Sequence, residues 1–408
     1  MVWRFYETAF LLSAFASFKA WPFWGIQPAY ISAAFLFISV FTYMICPRYF
    51  VFKRANVKWF LLLFLSAILT VLHANIFGIL EVFVNIISLW FVFNLKDLYK
   101  TILFRNFRKY LAAFLALSLF FYALYLLGFP LPSSTIYTSG TTDSRSYENY
   151  YLFIQLPYLL FDRFSSVFLE PGYLGCLMAL LLFAGNYNFR RHGGWFNIVF
   201  LICLFATLSL AGWIIAILGF ILRSFGRKKN RIIMSSLTIT GILALYSFFS
   251  TYNHGDNIVN NALIARLQWD SQSNTIAGDN RTSENVTYYF YHQFLSEGNI
   301  LFGEENINRI LYGEDVADWK IYIMSYGIVG FAAFVIFLIF SGIADFREKY
   351  TRYCFSLLFF LMFLQTIYGI YWLMYIGTFI LGMNEISSVS KYSIRESENS
   401  LVKSISHV

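Results

Sequence analysis

Two ionisable residues seven positions apart, Arg163 and Glu170, stand at the mouth of a long apolar run. They lie in the stretch Arg163-Phe-Ser-Ser-Val-Phe-Leu-Glu-Pro-Gly-Tyr-Leu-Gly175. Ionisable groups at membrane depth cost a few kcal/mol or more each, by rough scale, and usually persist for a function. A guanidinium can stabilise charge on a leaving phosphate, and a carboxylate can accept the proton of an attacking hydroxyl. If the segment is helical throughout, this spacing puts Arg163 and Glu170 nearly on one face. The competing reading is structural: Arg163 snorkels to an interface, and Glu170 caps a helix whose first residue is Pro171.

Further candidate groups lie in residues 251–319, the one sizeable polar stretch. It holds ten carboxylates and three arginines, Arg266, Arg281 and Arg309. A loop of this length without function is uncommon. Guanidiniums suit phosphate or pyrophosphate through bidentate, charge-assisted bonds. Arg266, in Ile-Ala-Arg-Leu-Gln-Trp, and Arg281, in Gly-Asp-Asn-Arg-Thr, are read this way. Arg309, between acidic stretches, is read as a surface ion-pair partner. His254 and His292 share the stretch but are 38 residues apart, so neither is read as catalytic.

The elements that must position these groups follow from composition. The chain has 408 residues, 59% of them hydrophobic and 13% charged, with a mean hydropathy of +0.60. Apolar runs near 20 residues recur from end to end, the pattern of a polytopic helical membrane protein. The net charge of +8 is not spread as a nucleic-acid surface would spread it. It falls in clusters: Arg48 to Lys58, Lys96 to Lys109, Arg190 and Arg191, Arg223 to Arg231, and Arg347 to Arg352. Excess Lys and Arg mark cytoplasmic loops. Residues 195–222 lie between two such clusters, so they are expected to go out and back as a hairpin turning near Ser209 to Gly212.

The resulting expectation is an all-α chain with about twelve membrane segments, at 5–20, 23–45, 59–73, 77–94, 110–129, 167–187, 195–208, 211–222, 232–250, 320–342, 353–367 and 370–383. In domain terms, 1–129 are N-terminal membrane helices and 130–166 an external loop, whose Tyr- and Phe-rich second half, broken at Pro157, reads as a segment lying on the outer leaflet. Residues 167–250 are central membrane helices, 251–319 a large external loop between two late spans, 320–383 the C-terminal membrane helices and 384–408 a disordered cytoplasmic tail. Walker loops, dinucleotide fingerprints, metal-binding histidine pairs and serine-nucleophile elbows do not occur in the sequence. No disulfide or zinc framework is indicated, because Cys46, Cys176, Cys203 and Cys354 all lie in or beside spans.

Four features in order resemble the Wzy family of O-antigen and exopolysaccharide polymerases, within the O-antigen ligase and polymerase superfamily. They are Arg163-Phe-Ser-Ser-Val-Phe-Leu-Glu-Pro-Gly, the short hairpin around Thr207-Leu-Ser-Leu-Ala-Gly-Trp213, the outer loop with Asn280-Arg281 followed by Ile300-Leu-Phe-Gly303, and Asp318-Trp-Lys-Ile-Tyr-Ile-Met-Ser-Tyr-Gly-Ile-Val-Gly330, similar to the segment by which that loop re-enters the membrane. Together they cover roughly residues 160–340; the amino-terminal third is similar in hydropathy alone. The resemblance implies a GT-C-like membrane glycosyltransferase. It would join repeat units carried on undecaprenyl pyrophosphate at the outer face of the bacterial plasma (inner) membrane, building O-antigen, capsular or exopolysaccharide. It implies no cofactor and no metal, and as partners the lipid-linked oligosaccharide, the bilayer and a chain-length regulator. On this reading Glu170, Arg163 and Arg281 are catalytic, and Arg163, Arg266 and Arg281 hold pyrophosphate.

Two departures bear on the reading. Ligase-side members are similar to one another in a histidine beside an asparagine before the span that follows the loop; here that place is Asp315-Val-Ala-Asp-Trp319, which favours polymerase over ligase. A Gly-x-Gly after the Leu-Phe element is reduced to Gly303-Glu-Glu. A reading from another class is a lipid-oligosaccharide flippase, which twelve spans with both ends inside would suit. Such transporters usually carry midplane charges in several helices, and these spans are nearly uncharged.

Overall fold

The computed structural model describes residues 1–69, 76–137, 146–157, 162–189, 194–226, 231–270, 275–276, 283–304, 319–343, 349–365 and 373–387. Among them are twelve helices of fourteen residues or more: α1 Val2–Ser17, α2 Pro28–Ile45, α3 Arg54–Leu69, α4 Ile76–Asn94, α5 Asp97–Leu126, α6 Pro171–Ala184, α7 Gly194–Thr207, α8 Leu210–Gly226, α9 Arg231–Thr251, α11 Trp319–Ile343, α12 Lys349–Gln365 and α13 at 373–387. The short α10, Glu284–Tyr289, lies between α9 and α11 and continues through a wide turn, Phe290–Phe294, into Leu295–Glu297. Each long helix falls where an apolar run was expected. Among the described residues two regions, Asp97–Leu126 and Trp319–Ser341, are long and apolar enough to cross a membrane by length and composition.

The chain is mainly helical but not wholly so. Within 130–166 lies a three-stranded antiparallel sheet of β1 Ser134–Tyr137, β2 Ser146–Asn149 and β3 Ile154–Gln155, so the described part of the aromatic half is strand and turn. Tyr147, Phe153 and Ile154 are buried in protein. A second, two-stranded hairpin pairs β4 Trp269–Asp270 with β5 Thr275–Ile276. The basic run Lys96 to Lys109 is also not a loop, because from Asp97 onward it forms the first turns of α5.

At the centre sits α6. Every residue from Tyr173 to Ala184 is buried. Its sequence, PGYLGCLMALLLFA, is apolar all round, so it has no face for solvent. It packs against α7, α8 and α12. The α6–α8 approach needs small residues: a Cβ on Gly212 would sit 2.7 Å from the Gly175 carbonyl carbon, and one on Gly175 would meet the Ser209 Cβ at 2.6 Å.

The expected hairpin at 195–222 is present as α7 and α8. Leu208 breaks the helix with φ +46, and α8 starts two residues later. The turn lies at the Pro171 end of α6. The free ends of the hairpin lie at the other end, where the Arg108 Nη2 donates to Asn197 Oδ1 at 2.5 Å and the Arg223 Nε to Asn186 Oδ1 at 2.7 Å. Arg108 is half-buried beside Phe104, Phe196 and Phe200, so it joins α5 to α7 as well as carrying charge.

Candidate functional site

Arg163 and Glu170 flank a segment that is not helical. Residues 162–170 run in extended and turn conformations, and α6 starts only at Pro171. The one-face argument from a spacing of seven therefore fails. The reason was local: the residue before a proline is pushed out of the helical region. Glu170 has φ −134 and ψ 137 and is the N-cap of α6, as the structural reading expected, but its side chain makes no capping hydrogen bond.

Main-chain bonds sew this segment to three other parts of the chain. Phe164 N donates to Ala206 O at 3.0 Å, Ile154 N to Ser166 O at 2.9 Å, and Trp21 N to Val167 O at 2.9 Å. Phe164, Val167 and Phe168 are buried beneath it, Phe168 against Phe15 and Phe18. Ser166 is buried with φ +54, and its hydroxyl has no hydrogen-bond partner among the described residues. A non-glycine residue there costs about 1–2 kcal/mol, which the surrounding packing must outweigh. Such a segment is a rigid platform, the kind of support a site needs.

The Arg163 side chain reaches from this platform to the turn between α7 and α8. Its Nε donates to Thr207 O at 3.0 Å and its Nη2 to Leu208 O at 3.3 Å. These are end carbonyls of α7, which a cation suits both by hydrogen bonding and by the helix dipole. The first and second sequence features, separated by some forty residues, thus meet through one guanidinium.

The third and fourth features also meet. α11 is interrupted at Gly327, with φ +71 and ψ 171. The segment Ile300–Glu304 fills the break. Ile328 N donates to Ile300 O at 2.9 Å, Val329 N to Leu301 O at 3.2 Å, and Glu304 N to Met324 O at 2.7 Å. A broken helix in an apolar setting must have its freed groups satisfied by neighbouring backbone, and here the loop does that. Both glycines are required by close approach: a Cβ on Gly327 would lie 2.1 Å from Leu301 O, and one on Gly303 2.5 Å from Ser325 O. Glu304 also accepts from the Tyr289 hydroxyl at 2.8 Å, tying α10 to the clasp. Burial and then this carboxylate push the Tyr289 phenol up to about 12.

The remaining expected site residues are placed as follows. Arg266 is half-buried in the single turn Ala265–Leu267. Arg281 and Arg309 lie outside the described residues. His254 is exposed with φ +55, and the exposed His292 lies against the Tyr288 ring. No group of three or more His, Cys, Asp or Glu among the described residues could hold a metal.

What sequence reasoning missed is the cluster beside Arg163. Tyr125, Tyr150, Glu148 and Asp162 come together where the end of α5 meets the sheet. The alternation Tyr147, Asn149, Tyr151 and Phe153 carried a period-two signal for strand that the aromatic count obscured. Comparison with known families, curated proteins and solved structures finds no match to this chain.

Proposed function

We propose that this chain is a polytopic membrane glycosyltransferase that polymerises oligosaccharide repeat units carried on undecaprenyl pyrophosphate. The observation that carries the reading is the Arg163–Glu170 platform. It presents an arginine oriented by two carbonyls and a carboxylate at the N-terminus of a fully buried helix, both on a segment too constrained to move freely. Pre-oriented charge of this kind suits a reaction whose leaving group is a pyrophosphate.

In this reading the acceptor hydroxyl oxygen bonds to the anomeric carbon of the growing chain. The bond from that carbon to the carrier oxygen breaks, and the pyrophosphate leaves with the electron pair. Arg163, with Arg266 and Arg281, holds the pyrophosphate. Glu170 either takes the hydroxyl proton or orients Arg163. The clasp between Ile300–Glu304 and α11 fixes one end of the loop that bears the other two arginines. No cofactor or metal enters this scheme, and a chain-length regulator is the expected protein partner. Twelve membrane spans, with the platform facing away from the cytoplasm of a bacterial inner membrane, complete the proposal. The basic residues at the Arg108 end support that orientation.

The test is the glycan of cells lacking the protein. A polymerase leaves single repeat units, exported but never lengthened. A flippase would trap units on the inner leaflet, and a ligase would leave long chains on the carrier. An unchanged ladder in the deletion strain would sink the proposal.

A further inference from the structure

We propose that the tip of the small sheet is a saccharide-binding subsite, formed by Tyr125, Tyr150 and Tyr151 with the carboxylates Glu148 and Asp162, the buried Phe153 backing the Tyr150 ring. The proposal rests on the reading of the substrate as a glycan and adds where one of its sugar rings is held.

The geometry is that of a stacked aromatic platform with acceptors at its rim. The Tyr150 and Phe153 rings are stacked 4.7 Å apart at 13°, and Tyr125 lies 5.0 Å from Tyr150. The Tyr150 hydroxyl donates to Glu148 Oε2 at 2.7 Å, and the Tyr125 hydroxyl to Asp162 Oδ1 at 3.4 Å. Both carboxylates are exposed. Each uses one oxygen on a tyrosine; among the described residues, Glu148 Oε1 and Asp162 Oδ2 have no hydrogen-bond partner. A carboxylate accepts at two oxygens, so each can still take a sugar hydroxyl.

The tip is also held in an unfavourable backbone state. Tyr151 has φ +66 and is 53% exposed. Its amide donates to Asn149 Oδ1 at 2.8 Å, and its carbonyl accepts from Trp21 Nε1 at 3.1 Å. Strain at an exposed aromatic, fixed on both sides by hydrogen bonds, fits a residue kept for presentation rather than packing.

The charge decides the occupant. Asp162 accepts from Tyr125 and Glu148 from Tyr150, so both carboxylates stand at the rim of the rings. Burial and the hydrogen bond to Glu148 hold the Tyr150 phenol above its usual range. A lipid phosphate would be repelled here. A neutral pyranose offers C–H faces to the rings and hydroxyls to the carboxylates. Asp162 directly precedes Arg163, which places this sugar beside the proposed pyrophosphate site.

Saturation-transfer NMR tests this on the full chain in nanodiscs of phosphatidylethanolamine and phosphatidylglycerol. The probe is a mixture of methyl pyranosides of glucose, galactose, mannose and N-acetylglucosamine. Transfer to the ring C–H protons of at least one glycoside is expected. It should weaken about tenfold in Asp162→Asn and Glu148→Gln, the loss of one hydrogen bond to a charged group, and disappear in Tyr150→Ala. Trp195→Ala, an exposed aromatic at the opposite end of α7, should bind as the unaltered protein does. If Tyr150→Ala does not fold, the exposed Glu148→Gln/Asp162→Asn double variant decides. Absent transfer, equal transfer in that double variant, or transfer only to lipid headgroups overturns the subsite. The glycan of the deletion strain reports separately on polymerisation, so the two readings fail by different results.

Discussion

Substituting alanine for Gly327 should open the clasp between the outer loop and α11. The backbone there has φ +71 and ψ 171, a region essentially restricted to glycine, at a cost of about 1–3 kcal/mol for any other residue. The added Cβ would also fall 2.1 Å from Leu301 O and 2.5 Å from Phe302 N, both main-chain atoms that cannot swing aside. Relieving the clash separates the segments joined by the amides of Ile328, Val329 and Glu304. Each such bond contributes about 0.5–1.5 kcal/mol net. The combined loss is about 3–7 kcal/mol. At that size, hydrogen exchange at these three amides should accelerate by about 100-fold or more, and the apparent melting temperature in detergent should fall by about 5 °C or more. Gly330→Ala is the control: its nearest neighbour would be 3.5 Å away, an ordinary contact, and the site is helical. If Gly327→Ala exchanges and melts like Gly330→Ala, the clasp does not hold the break closed.

Other expectations follow from the platform and its surroundings. Arg163→Ala removes two charge-assisted bonds to the end of α7, for a half-buried side chain about 2–4 kcal/mol; melting should drop, and chain elongation should vanish. Arg163→Lys should regain part of the stability and little elongation, since the fork is gone; equal recovery of both would make the residue a strut alone. Glu170→Ser and Glu170→Asp should leave stability level or raised by up to about 1 kcal/mol, because both cap a helix well, while glycan ladders shorten. Glu170→Gln should keep partial polymerisation if the carboxylate orients Arg163 and none if it is the base; a fully active Glu170→Ser protein defeats both roles. Because its folded value is raised to about 12 from 10.0, Tyr289 contributes stability that is complete below pH 10 and is lost as pH rises toward 12; melting between those pH values should be flatter in Tyr289→Phe. Cysteines placed at 192 and 280 should label from opposite sides of the membrane, and labelling from one side would refute the proposed topology.

The sequence by itself determined where the long helices fall. Hydropathy is a local property: a run such as 171–184, apolar on every side, marks a helix with no face for water before its neighbours are known. Charge clusters are local too, so the out-and-back course of α7 and α8 was legible. The capping place of Glu170 was legible for the same reason, since Pro171 dictates it alone. Tertiary structure decided the rest. That Arg163 reaches Thr207, or that Gly303 nests against Ser325, depends on backbones brought together from distant parts of the chain, and no periodicity encodes such a meeting. The strands at 146–155 belong to the same class. β2 pairs with β1 on one side and β3 on the other, so pairing fixes their conformation more than any residue's own preference.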